Sequence, residues 1–115
     1  MSAPSRVLEQ LDCALTTNED IYTVPAGRRA RVHVSAVNRT AASIDVRVAL
    51  RPLGASLTDD HYFAYDVTLY PNQDTFLGSE YIPIYLEATD VVTVYSSAVD
   101  VTFTVTGMEE DTPIE

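Results

Sequence analysis

The chain has 115 residues, 46% of them hydrophobic and 21% charged, which suffices for one core but not two and lies far from the composition of a disordered chain. Seventeen acidic residues against seven basic ones give a formal charge of −10, a field that repels nucleic-acid phosphates and anionic membrane surfaces alike. The single cysteine, Cys13, excludes an intrachain disulfide and a thiolate zinc cluster, and no apolar run approaches the ~20 residues that span a bilayer.

From the amino terminus, Met1-Ser2-Ala3-Pro4-Ser5-Arg6 leads into Val7-Leu8-Glu9-Gln10 with no apolar signal-peptide region, so the expectation is a chain made and kept soluble in the cytoplasm. Val7, Leu8, Leu11 and Leu15 fall at helical offsets, yet the pattern that follows is that of strands; residues 1–20 therefore read as an arm or edge strand. Asp20 to Val24 is a short strand segment stopped by Pro25-Ala26-Gly27. In Ala30 to Val37 the residues Ala30, Val32, Val34 and Ala36 share one face and Arg31, His33 and Ser35 the other, the period of two that marks a strand with one buried side. Ile44 to Arg51 repeats this with Ile44, Val46, Val48 and Leu50 inward and Asp45, Arg47 and Arg51 outward. The polar Asn38–Ser43 link predicts that these two strands pair as a hairpin.

His61 to Leu69 is expected to turn Phe63, Tyr65, Val67 and Leu69 to one side before Tyr70-Pro71-Asn72-Gln73-Asp74 stops it with turn chemistry. Thr75 to Leu86 is a further segment, broken by Gly78 and Pro83, and Pro83 suits an edge or a bulge. Val91 to Ser96 and Val101 to Thr106 flank a short link and predict a second pair. Met108 to Glu115 is acidic and lacks alternation, so residues 108–115 read as a mobile tail beyond a domain of residues 21–107. Seven or eight short strands with turn signals between them predict an all-β fold, a single antiparallel β-sandwich of jelly-roll or immunoglobulin-like type.

Catalytic chemistry is not expected. Only two histidines are present, and no nucleophile elbow, zinc-protease helix, phosphate-binding loop or dinucleotide fingerprint occurs, so no catalytic, cofactor-binding or metal-ligating residue is assigned. Asp59-Asp60-His61 and Glu109-Glu110-Asp111 hold ligand-type side chains without calcium-loop spacing and read as solvated segments. Asn38-Arg39-Thr40 matches a glycosylation acceptor with no secretory route to use it. All seven basic residues are arginine, which suits forked pairing with carboxylates across interfaces, although GC-rich coding is the plainer account. Seven tyrosines stand against no tryptophan, and tyrosine supplies large contact area with few rotatable bonds. Interface contacts are accordingly expected from Arg6, Val7, Leu8 and Leu11 in the lead-in, from Arg31, His33 and Arg47 on polar strand faces, and from Tyr62 and Tyr70.

Several blocks in a fixed order carry a resemblance: Tyr22-Thr23-Val24-Pro25-Ala26-Gly27, Asn38-Arg39, Arg51-Pro52, His61-Tyr62-Phe63-Ala64-Tyr65-Asp66, and Leu86-Glu87-Ala88-Thr89-Asp90-Val91-Val92-Thr93-Val94-Tyr95. With these blocks the stretch from Ile21 to Gly107 resembles a group of small structural proteins of tailed-bacteriophage particles. The resemblance implies binding without catalysis and without a cofactor, in a homo-oligomer, for which a trimer is expected. It further implies a place in the virion as a capsid decoration or cement protein on the major capsid protein, or else as a tail, collar or fibre-connector part. A module that reads host glycans with exposed tyrosines is the reading from a different class. Neither nucleic acid nor membrane is an expected partner.

Overall fold

Strands that alternate valine with polar residues carry one apolar face each, and two such faces have to meet to leave water. The computed structural model describes residues 6–14, 16–78 and 82–112. The strands in chain order are β1 (Arg6–Asp12), β2 (Glu19–Thr23), β3 (Arg28–Asn38), β4 (Ile44–Arg51), β5 (Tyr62–Leu69), β6 (Asp74–Leu77), β7 (Ile84–Leu86), β8 (Val91–Ser96) and β9 (Val101–Asp111). They form two antiparallel sheets, β1-β9-β3-β6 with β7 also paired to β3, and β2-β8-β4-β5. Between the sheets lie Val32, Val34, Val46, Val48, Leu69, Val92, Val94, Val101, Phe103 and Val105, all fully buried.

The pairing is nested. β6 lies along Val34–Val37 and β7 along Ala30–Val32, so these two short strands share one edge lane of β3. With that lane taken once, the antiparallel ribbons are β1 with β9, β2 with β8, β3 with β6 and β7, and β4 with β5. First-with-last pairing folded over two sheets is the jelly-roll form of the expected antiparallel sandwich. Pro83 lies in the interruption between β6 and β7, on an edge, where its missing N–H breaks no interior ladder.

The structure overturns both predicted hairpins. β3 and β4 belong to different sheets, as do β8 and β9, so each link is an arch that crosses from one sheet to the other. Polar side chains make these crossings stable. The fully buried Asn38 donates from Nδ2 to the carbonyls of Ala42, Leu69 and Tyr70 at 2.8, 3.1 and 3.0 Å, while its Oδ1 accepts from the Thr40 amide at 2.9 Å. Ser96 Oγ donates to the Ala98 carbonyl at 2.8 Å, the two arches bond each other through Arg39 N to Asp100 O at 3.0 Å, and Ser97 N of the second arch donates to Asp45 O on β4 at 2.9 Å.

Of the two readings of the lead-in, arm or edge strand, the described part is the edge strand: β1 pairs with β9 at the sheet edge, and β2 begins at Glu19. Two further expectations change. β9 continues to Asp111 opposite Arg28, because Arg28 and Arg29 face Glu109, Glu110 and Asp111 across the ladder and neutralise them; the part of the supposed tail up to Asp111 is therefore strand. In β5, Phe63 and Tyr65 are exposed while Ala64 and Leu69 are buried. Asp66 has φ +51° and the β4–β5 register shifts there, a bulge that moves the inward face from even to odd positions. The expectations placed on Leu15 and on the chain ends lie outside the described residues.

Gly107 of β9 lies opposite Val32 of β3. A Cβ there would lie 2.0 Å from the Arg31 carbonyl oxygen and 2.8 Å from Val32 Cα, both backbone atoms that cannot rotate away. Gly107→Ala is expected to cost about 2–4 kcal/mol of folding stability through strain and overpacking. Urea unfolding measures this, and an unchanged midpoint would show that β9 is free to shift.

Candidate functional site

On the outer face of the β2-β8-β4-β5 sheet, Arg47 of β4 stands between Tyr95, its ladder partner on β8, and Tyr65 of β5. Its guanidinium carbon lies 4.1 Å from the Tyr65 ring centroid and 4.5 Å from that of Tyr95, within range for cation–π attraction to both faces. The bulge at Asp66 brings a carboxylate to the same group, with Nε to Oδ1 at 2.6 Å and Nη2 to Oδ2 at 3.3 Å. That forked pair raises the Arg47 pKa beyond its ordinary value, chiefly through the hydrogen bond, so the side chain is charged at every accessible pH. Tyr62 meets Tyr65 edge to face at 5.0 Å, and Tyr65 remains 56% exposed. The result is a fixed aromatic platform around a held cation. Next to it the sheet is covered: Ala49 and Thr93 point outward yet are buried, Asp20 bonds both Thr93 Oγ1 at 2.9 Å and Arg51 Nη2 at 3.4 Å, and the β4–β5 link packs over β4 and β8.

The structure does not bring the predicted interface residues together. Arg47 and Tyr62 belong to the platform. Arg31 and His33 lie on the opposite side of the sandwich, on the outer face of β3. Tyr70 is exposed at the β5–β6 turn, where its amide bonds Gln73 Oε1 at 2.8 Å. Of the β1 residues, Val7 is exposed, while Leu8 and Leu11 are half-buried and pack against the core. Sequence reasoning missed Tyr65, which it placed on the same side as Leu69, and Asp66. The signal was there: Ala64 is small and apolar where an inward side chain was needed, and aspartate is depleted in strand interiors unless it makes a bulge.

Arg6 has a structural task at the end of the sandwich. Glu109, 8% exposed, takes a hydrogen bond from the Tyr22 hydroxyl and faces Arg6 Nη2 at 3.3 Å and Arg28 Nη1 at 3.7 Å. Burial first, and then the bond to Glu109, pushes the Tyr22 hydroxyl well above the ordinary phenol range. Burial likewise pushes the Cys13 thiol up to about 11, with the Glu19 charge adding to it.

Asp59-Asp60-His61 forms a 3-10 turn closed by its own side chains: His61 Nδ1 accepts from the Thr58 amide at 3.2 Å, and Thr58 Oγ1 donates to Asp60. That hydrogen bond lowers the Asp60 carboxyl below its usual value. Among the described residues no three histidine, cysteine or acidic side chains gather as metal ligands would. No protein-family model matches the chain, and no curated protein matches it in sequence.

Replacing Tyr22 by Phe leaves the Glu109 carboxylate buried with one donor fewer and is expected to cost about 1–3 kcal/mol in thermal or urea denaturation. A second expectation concerns alkali. Cys13 holds its proton more tightly folded than unfolded, so its contribution is complete below pH 9 and is lost as pH climbs towards 11. The loss amounts to roughly 2 kcal/mol over that interval. Urea melts of Cys13→Ala should show a shallower decline between pH 9 and 10, before Tyr22 adds its own; an identical slope would refute the assignment.

Proposed function

We propose that the chain is a non-enzymatic structural part of a tailed-phage particle, a decoration protein that binds the assembled shell of major capsid protein as a homo-oligomer, taken as a trimer. The observation that carries the reading is the Tyr62–Tyr65–Arg47–Tyr95 platform, with Tyr65 exposed and the other three half-buried, because tyrosine and arginine held rigid before contact are among the residues enriched at protein interface centres. The ordered motif blocks support it as well. In the fold they fall on the β2–β3 turn, the Asn38 arch, the end of β4, the β5 bulge and the entry to β8, which are the positions that define this topology. A jelly roll is a fold used by capsid and lectin domains among others, and so supports the reading only as an architecture suited to it.

The mechanism is contact area multiplied by valency. Three modest contacts joined in one trimer bind far more tightly than any one of them, and a protein that binds only the assembled shell stabilises it by mass action.

Quantitative mass spectrometry of purified particles tests this. A copy number near that of the major capsid protein is the expected result; a small number per particle would assign the chain to the tail, collar or fibre connector instead, and absence would refute the virion reading. Tyr65→Ala leaves the core intact and is expected to weaken shell binding by about 2 kcal/mol, roughly 30-fold. Binding to a glycan array in place of shells would favour the carbohydrate-reading alternative.

A further inference from the structure

Each lateral side of the sandwich is built from one edge of each sheet, β1 beside β2 on one side and β5 beside β6 and β7 on the other. An edge strand offers unpaired N–H and C=O groups to any other strand, and charged side chains are a common defence against that. The first side has this defence. β1 and β2, seven and five residues long, carry Arg6, Glu9, Asp12, Glu19 and Asp20. The second side lacks it: β5, β6 and β7 carry only Asp66 and Asp74, and Asp66 is neutralised by Arg47.

What the second side presents is apolar. Phe76 of β6 is 44% exposed, Tyr85 of β7 70%, and Ile82 in the segment between them 68%. Phe76 lies opposite Ser35 and Tyr85 opposite Arg31, so both rings stand on the outward side of the lane that β6 and β7 share. Phe63 joins them from the facing sheet. The β4–β5 ladder passes from Val48–Ala64 to Ala49–Tyr62 and leaves Phe63 without a partner, and its ring lies 3.2 Å from where a Cβ of Gly78, the residue after β6, would stand. Phe63 thereby spans the gap between the two edges while remaining 37% exposed.

An aromatic side chain has about 200 Å² to bury, so the three rings leave roughly 300 Å² in water, and Ile82 brings the apolar total to the order of 400 Å². A standard interface takes about 800 Å² from each partner, a little over half of it apolar, so these four side chains come close to one partner's apolar share. Charge selects the partner. A basic protein would be drawn to the acidic surfaces elsewhere, whereas a chain of charge −10 approaches its own copy best where its surface is nearly neutral. We infer that the β5–β6–β7 side is the face through which copies of this chain join, with Phe63, Phe76, Ile82 and Tyr85 at the contact. The inference rests on the homo-oligomer of the proposed function and gives that oligomer its surface.

Sedimentation equilibrium of the isolated chain, with no capsid shell present, is the test. The parent should sediment as more than one chain, and more so at high salt, because screening relieves the repulsion between like-charged copies. Tyr85→Glu and Phe76→Glu each put a charge on the stripe and should weaken association by more than about tenfold. Val7→Glu, at an exposed position of the charged side, should leave it unchanged. Hydrogen exchange of the parent at low and high protein concentration locates the contact without any substitution: amides of β5, β6 and β7 should slow on association and those of β1 and β2 should not. A monomeric parent, association that survives both glutamate variants, or slowing on β1 and β2 would overturn the inference. Shell binding is read separately. A monomer that decorates shells refutes this contact alone, and an oligomer that forms through this side but ignores shells refutes the decoration reading alone.

Discussion

A carboxylate buried at the end of a β-sandwich has to find its donors inside the protein, and Glu109 takes them from three other strands: Arg6 on β1, Tyr22 on β2 and Arg28 on β3. Two of these lie in its own sheet and one in the facing sheet, so a single side chain fastens the outermost ribbon of the jelly roll to the next. An ion cluster of this kind adds little net stability over a well-packed apolar substitute; we read its value as specification, since the wrong strand in any of these places leaves a buried charge unmet. Asn38 does the same with a neutral amide at the other end of β3. Between those two anchors the valines need only be apolar and of about the right size.

This division explains what could be read from the sequence. The inward faces of β3, β4 and the first half of β9, to Thr106, were legible residue by residue, because alternation is local and depends on which side chains meet water. Which strands pair was not legible. A hairpin and an arch join the same two alternating strands through the same kind of short polar link, and they differ only in where the link's polar atoms are satisfied. Asn38 bonds the Leu69 and Tyr70 carbonyls, 31 and 32 residues away along the chain, and nothing local in Asn38-Arg39-Thr40 announces those partners. The acidic run at Glu109 was misread for the same reason: its neutralising arginines are remote in sequence and adjacent in space.

The site was legible by residue type more than by place. Arg47 and Tyr62 stood out as a cation and an aromatic on expected surface positions, and both belong to the platform. Their partners were hidden by one backbone angle. A strand without the Asp66 bulge would turn Tyr65 into the core and carry Asp66 away from Arg47; with φ +51° at Asp66, ring and carboxylate both reach the arginine. Leu8 and Leu11 lean on the core because an edge strand still has an inward face.

The two outer faces use arginine in opposite ways, and the difference bears on what each can recognise. Arg47 is fully engaged by Asp66 and two rings, so it presents a rigid surface whose polar demands are already met; a partner gains from area and shape there, as extended protein contacts do. Arg31 has the Met108 thioether where the other arginines have a carboxylate, and among the described residues its neighbour His33 keeps Nε2 sealed from solvent without a hydrogen-bond partner. A sealed nitrogen of that kind costs stability that nothing on the surface can return, so the outer face of β3 is the less well satisfied of the two.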